Sequence, residues 1–350
     1  MTGSGQEHFS PSAVPPAGGG VRVGVIGSVG GDRFAENILD CLPAIGVLPV
    51  QLGAAAPRPA DRRIAGPLRV ARLATDRIDL AYQRRIVTAA ERADVTTVIC
   101  VTPVLHPATV RELRRRGIPA CLWFPDPVSN LGRARMLLGD YDALFFKDPL
   151  LARRLADMLG LPASYLPEAC NPARHRPPGD GTAPGDQPHV VFVGTMYSER
   201  ARLIEQLLDH GVSVRIYGPP IPRWLWSRRL AACHAGRYVA SEEKAAVFRG
   251  ALAVINALRS SEMQSVNCRL FEATASGGMV LCERREVLPD LFAEEREILA
   301  FSTFNELIAQ IKRCSDDPAA AREMGDAASL RSLRDHTYQR RLTKLLEVML

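Results

Sequence analysis

The sequence predicts an α/β chain built as two doubly wound, Rossmann-like domains facing one another across a cleft. Three observations carry this reading. Short apolar strand-like runs alternate with helical periodicity from Val21 almost to the C terminus. The alternation breaks once, at the Pro-, Gly- and charge-rich stretch 171–188. The length of 350 residues also exceeds the roughly 250–300 at which single cores stop growing. Parallel strands covered by helices on both faces read as unbroken apolar runs, which is the pattern seen here.

In chain order, residues 1–20 (MTGSGQEHFSPSAVPPAGGG) are rich in Gly, Pro and Ser and read as a disordered tail. The first domain, 21–170, opens with the strand VRVGVIG (21–27), which breaks on Gly27 before a helix beginning near Asp32. Helical periodicity returns around 76–92, followed by the strand VTTVICV (95–101). Pro107 suits the first turn of a helix that ends at Gly117. IPACLWF (118–124), ALFF (143–146) and SYLP (164–167) are further strands, with a helix at 149–159 between the last two. The segment 171–188 reads as a linker and hinge, since its composition cannot form a core element. The second domain, 189–336, runs HVVFVG, a helix at 198–210, VSVRIYG, a helix at 242–250, ALAVINA, a helix at 268–278, and MVLC followed by short helices. A final helix in 337–350 is expected to cross back onto the first domain.

The bulk properties narrow the function classes. Net charge is +6 and the pI is near 9.0, which favours anionic partners. Aromatics are only 6% and the arginines are dispersed, so nucleic acid is not expected as a partner. The eight cysteines lack any Cys-x-x-Cys pair and several lie in apolar runs, so they read as reduced core thiols rather than a zinc or redox site. No apolar run approaches the ~18 residues that span a bilayer, and no signal peptide is apparent, so a cytoplasmic protein is expected.

Three loops carry candidate chemistry. In VIGSVGGD (25–32), Gly27, Ser28, Gly30 and Gly31 lie between strand and helix, where backbone N–H groups can meet an anion; a purely structural tight turn is the competing reading. This is not a dinucleotide fingerprint, because the acidic residue expected about 20 positions later is missing; Asp61 falls too late. In VGTMYSER (193–200), Gly194 permits close backbone approach, Thr195 and Tyr197 offer hydroxyls, and Arg200 adds a guanidinium in the helix's first turn. That combination suits a diphosphate, although a capped helix with a solvated Arg would look the same. In NCRLFEATASGGMVLCERREVLPDLF (267–292), Arg269 and Glu272 share a helix face and Gly277–Gly278 end the helix. A carboxylate there can accept ribose hydroxyls while Arg269 reaches a phosphate; the bland alternative is a surface ion pair.

The third segment resembles the group 1 glycosyltransferases of the GT-B fold and, within them, the CgeB-like spore-maturation proteins. The resemblance rests on Arg269-Leu-Phe271-Glu272, Gly277-Gly278 and Leu288-Pro-Asp-Leu291-Phe292. It extends to His336-Thr337-Tyr338, to Leu166-Pro167-Glu168-Ala169 with Asn171-Pro172, and to Phe192-Val-Gly194 through Arg200 and Ile216-Tyr217-Gly218. It implies a transferase that moves a sugar from a nucleoside-diphosphate sugar to an acceptor with retention of configuration and without a bound metal or other cofactor. Glu272 matches the later glutamate of a Glu-x7-Glu signature, which binds ribose, and Arg200 matches the basic residue on the donor diphosphate. The earlier glutamate position holds Gln264, so Gln264, Glu262 or main-chain amides would face the sugar. Gly218 and Asn267 complete the expected donor site. On the acceptor side, His106 and Asp126 follow strand ends and are candidate bases; the competing roles are a helix cap and a turn.

A non-catalytic nucleotide-sugar-binding protein and a nucleotide-sugar epimerase share this architecture and remain the alternatives. The pair Trp224–Trp226, with basic neighbours, reads first as packing under its loop and second as a peripheral contact with lipid or sugar. No protein partner is implied.

Overall fold

The structure, a computed structural model, describes residues 20–57, 62–130, 135–179 and 189–350. The expected tail up to residue 19, the later linker 180–188 and Asp61 lie outside the described residues. Two parallel sheets form. In the first, β1 (Arg22–Ile26), β2 (Leu48–Gly53), β3 (Thr97–Cys100), β4 (Ala120–Phe124), β5 (Ala143–Phe146) and β6 (Ala163–Tyr165) are ordered β2-β1-β3-β4-β5-β6. The second holds β7 (Val190–Val193), β8 (Val214–Tyr217), β9 (Ala253–Asn256), β10 (Val280–Glu283) and β11 (Leu299–Phe301), ordered β11-β10-β9-β7-β8. Every pairing within the two sheets is parallel. The two-domain doubly wound architecture is the one the sequence predicts.

Central strands are buried throughout, as in ACLWF of β4, because helices cover both faces. The edges differ. β2 (LPVQLG) is mostly exposed, and its Pro49 is tolerated because an edge strand has one side free of ladder bonds. That proline, with Gly53, hides β2 from a pattern reading, and β11 is too short to declare itself.

The final helix, Tyr338–Met349, belongs to the core of the first domain. Tyr338, Leu342, Leu345, Leu346 and Met349 pack with Val23, Ile38 and Trp123. Tyr338, Phe34 and Trp123 meet edge-on, with ring centroids 4.7–6.0 Å apart. The crossing is pinned where Cys170 N–H donates to the His336 carbonyl (2.9 Å) and Tyr338 N–H to the Cys170 carbonyl (3.0 Å). His336 sits between Phe271 and Phe292 with Nε2 2.7 Å from the Leu291 carbonyl oxygen. Burial, then the Arg341 charge, lowers its pKa to about 4, so it is neutral and structural at pH 7.

Two local expectations are corrected. The stretch after Asn171 is not simply an open linker: Asn171 and His175 are fully buried, and Asn171 donates through Nδ2 to Asn37 Oδ1 at 2.9 Å. Trp224 and Trp226 are not packed under their loop but are 73% and 61% exposed. All eight cysteines are free thiols.

Replacing Tyr338 with Ala should cost about 3–5 kcal/mol, the usual range for emptying a buried aromatic position. Urea unfolding followed by the fluorescence of the adjacent Trp123 measures it. A loss below about 1 kcal/mol would mean that the last helix is not seated in the first domain.

Candidate functional site

The carboxyl ends of β7 and β8 each stop on a glycine with positive φ, Gly194 (+122°) and Gly218 (+156°). The two turns press together: a Cβ on Gly218 would strike the Gly194 carbonyl, and one on Gly194 would strike the Arg269 guanidinium. Only glycine fits either position, which lets the two turns pack together and the Arg269 guanidinium lie against the Gly194 backbone.

Three arginines converge here. Arg200, in the first turn of the helix Ser198–Asp209, is 3% exposed; its Nη1 donates to the Thr195 carbonyl (2.8 Å) and its Nη2 to the Tyr197 hydroxyl (3.3 Å), while Nε has no partner among the described residues. Arg269 begins the helix Cys268–Ala275, whose first turn is capped by Asn267 Oδ1 accepting from Arg269 N–H at 3.1 Å. Arg259 joins from the loop after β9, its guanidinium 5.0 Å from the Tyr197 ring centre and that of Arg200 4.6 Å away. Tyr197 is fixed by its hydroxyl donating to the Ala257 carbonyl at 3.1 Å. None of the three arginines has a carboxylate partner among the described residues. Burial, then the charge of Arg269, lowers the Arg200 pKa to about 10. A buried cation beside two others, without an anion, costs free energy that an incoming polyanion offsets. Arg259 was not singled out in the sequence, where it is one basic residue in a loop.

Glu272 lies on the same helix but faces the other domain. It is 8% exposed, with Oε2 3.0 Å from Lys244 Nζ and Oε1 4.0 Å from His175 Nε2. The same Lys244 reaches Asp32 of the first domain at 2.5 Å, and His175 reaches Asp32 at 2.9 Å. Burial opposes ionisation of Asp32, but the His175 hydrogen bond and the Lys244 charge outweigh it and hold the carboxyl well below the usual range. Asp32 adopts φ +65° and Ser241, whose N–H donates to Asp32 at 3.3 Å, adopts φ +49°. Two non-glycine residues in the left-handed region, joined across the cleft, mark a place where tertiary contacts override local preference. Asp32, His175 and Glu272 offer ligand atoms within 4.8 Å of one another, a set suited to a cation. Lys244 supplies that cation as an ammonium.

A second buried cluster crosses the interface nearby. Lys147 Nζ lies 2.8 Å from Glu262 and 3.5 Å from Glu168, and Ser265 Oγ donates to Glu262 at 2.6 Å. Burial pushes the Glu168 pKa up to about 8, assisted by the Glu262 charge and opposed by Lys147. Gln264 is tied down beside it: its N–H donates to Asp148 Oδ2 (3.0 Å) and its side chain to Glu286 Oε2 (2.5 Å). Lys147, Lys244, Asp32, His175 and Glu168 were not assigned roles from sequence. One signal was available: only four of the 44 basic residues are lysines, and these two carry the interface.

On the first domain a cavity of about 410 Å³ opens beyond the carboxyl ends of β1, β3 and β4, lined among others by Gly27, Ser28, Arg33, Thr102 and Asp126. Gly27 must lack a side chain, since a Cβ would lie 2.6 Å from Ala35 and 2.5 Å from Val101. Gly30 and Gly31 form the turn into Asp32, and the Gly31 carbonyl accepts from the Tyr238 hydroxyl at 2.9 Å. His106 is not among the cavity's lining residues; its Nδ1 caps the helix Pro107–Arg115 by accepting from Ala108 N–H (3.1 Å), and its Nε2 is 3.4 Å from Asp76. A second cavity, lined by Arg249, Gly277, Met279 and Arg322, lies at the amino ends of β9 and β10 and away from these groups.

The Glu168 carboxyl sets a pH test. Its folded pKa is raised above the ordinary 4.5 to about 8, so its contribution is fully present below pH 4.5 and is lost as pH climbs to 8. The slope is at most roughly 1.4 kcal/mol per pH unit. Glu168→Gln should therefore flatten stability against pH over that window relative to wild type, as read from urea midpoints. Identical slopes in the two proteins would contradict the assignment.

A family model described as glycosyl transferase-like matches residues 200–347, a span that holds Arg200, Arg259, Arg269 and Glu272. No curated protein matches the sequence. The chain is similar to the solved structure of sucrose-phosphate synthase from Thermosynechococcus elongatus, with TM-score 0.67, 14% identity and coverage of 94% of this chain and 98% of that one. It is similar to AviGT4, a glycosyltransferase involved in avilamycin A biosynthesis, with TM-score 0.60, 17% identity and coverage of 94% and 96%. It also resembles HepE from Anabaena in complex with UDP, with TM-score 0.63, 10% identity and coverage of 94% and 99%. At these identities the likeness is one of fold, and it spans both domains: two parallel-sheet, Rossmann-like units in the GT-B arrangement.

Proposed function

We propose that the chain is a glycosyltransferase that moves a sugar from a nucleoside-diphosphate sugar to an acceptor bound by the first domain. The observation that carries this reading is the meeting of Arg200 and Arg269 at the Gly194 turn, with Arg259 beside Tyr197, all three without a carboxylate partner among the described residues. Arginine forks and a helix N-terminus suit the diphosphate, whose charge grows as the sugar leaves. In this role the arginines do what a metal does in other transferases, which supports a metal-independent reaction; retention of configuration rests on the sequence resemblance alone. Glu272 Oε2 is engaged by Lys244, leaving Oε1 to accept a ribose hydroxyl. The glycosyl transferase-like match over 200–347 supports the donor assignment, and the spore-maturation likeness remains a resemblance of motifs. In the first domain, the cavity at Gly27, Ser28 and Asp126 suits the acceptor, and Asp126 is the better placed of the two candidate bases.

Calorimetric titration with UDP, GDP, ADP and TDP tests the donor site. One of these should bind, and Arg269→Ala or Arg200→Ala should weaken it by about 10- to 100-fold, the worth of a charge-assisted hydrogen bond. The reading fails if none of the four binds the wild type, or if both variants bind as it does. Incubation with the matching nucleotide sugar should release nucleoside diphosphate, and Asp126→Asn should slow acceptor-dependent release while leaving nucleotide affinity unchanged.

A further inference from the structure

The segment Pro219–Arg237, which follows β8, contains four arginines, two tryptophans and no acidic residue. It is held firmly. Ile221, Leu225 and Leu230 turn inward onto the core of the second domain, and Ser227 Oγ accepts from Leu230 N–H (3.1 Å) while donating to Glu205 (2.6 Å). The residues between these anchors, Trp224 and Trp226, are thereby held outward, 73% and 61% exposed. Arg223 and Arg228 flank them, both exposed and without an ion pair among the described residues, whereas Arg229 is engaged by Glu205 and Asp209. β8 is the edge strand of its sheet, and the segment leaves from the carboxyl end, where Gly218 borders the arginine cluster.

Two indoles kept in water on an anchored backbone leave apolar area unburied that a neighbouring surface would cover. Indole rings favour the headgroup boundary of a bilayer, apolar on one side and wet on the other, and unpaired arginines are drawn to anionic lipid. A protein surface would serve the tryptophans equally; the local excess of positive charge favours the lipid. We infer that this loop docks the protein on an anionic membrane surface, with Trp224 and Trp226 inserted at headgroup depth and Arg223 and Arg228 on lipid phosphates. The inference does not rest on the proposed sugar transfer.

The test uses the full chain with vesicles of phosphatidylcholine alone and of phosphatidylcholine with phosphatidylglycerol. The third tryptophan, Trp123, is fully buried with Nε1 donating to the Leu166 carbonyl at 3.2 Å, so a lipid-induced blue shift of emission reports on the exposed pair. The protein should sediment with anionic vesicles only, with a blue shift and with binding that falls as salt rises. The double variant Trp224→Ser/Trp226→Ser should lose both signals, and Arg223→Glu/Arg228→Glu should weaken binding by about tenfold or more. Both should keep the wild-type melting profile and nucleotide affinity, so failure here is distinguishable from failure of the donor assignment. The inference is overturned by no sedimentation with anionic vesicles, by equal sedimentation of wild type and both variants, or by a blue shift that appears without lipid as protein concentration rises, which would mean that copies of the chain pair through this face.

Discussion

The arrangement of the cleft depends on two buried lysines that each reach carboxyl groups of both domains. Lys244 of the second domain joins its own Glu272 to Asp32 of the first, and Lys147 of the first joins its own Glu168 to Glu262 of the second. Buried ion pairs are poor sources of net stability, since desolvation cancels much of the attraction, but breaking one partner is costly. Their consequence is therefore positional. The domains meet where the charges match, and a displaced register would strand an ammonium or a carboxylate away from water. A lysine suits this role because its compact head accepts partners from several directions, where a planar arginine would demand one.

That constraint places the remaining groups. Glu272 is drawn toward the first domain by Lys244, while Arg269 on the same helix points to the Gly194 turn. One helix thus presents a carboxylate to one region of the cleft and a guanidinium to another, with the cavity at Gly27 and Asp126 on the opposite wall. The arginine cluster has no carboxylate partner among the described residues, whereas each lysine meets a carboxylate across the interface. This contrast separates the groups that hold the structure from those that the proposed function assigns to the donor diphosphate.

Much of the fold was legible because parallel buried strands have a plain signature. β4, β5 and β7 are unbroken apolar runs, β3 and β9 are broken only by Thr97 and Asn256 at their ends, and their helices follow the expected periodicity. β2 was missed because an edge strand can carry Pro49 and polar residues, and β11 because three residues hold too little pattern. The residues of the proposed donor site that stand out in the sequence, Gly194, Arg200, Asn267, Arg269 and Glu272, are those where motif and turn chemistry coincide. Arg259, Lys244 and Asp32 were not, because their roles come from residues more than two turns away in sequence or in the other domain. His175 was hidden by its setting in a Pro-rich stretch, where composition says loop but one turn is buried. His106 shows the reverse: a histidine before Pro107 has the look of a catalytic group and serves as a helix cap.

In the proposed function the arginines around the Gly194 turn, which lack a carboxylate partner among the described residues, receive a nucleoside diphosphate. A crystal structure of the chain grown with UDP, or with whichever nucleoside diphosphate binds most tightly, tests it most directly. Diphosphate oxygens are expected within hydrogen-bond distance of Arg200, Arg259 and Arg269, with the ribose toward Glu272. A nucleotide bound elsewhere, with the three guanidinium groups left without an anion, would contradict it.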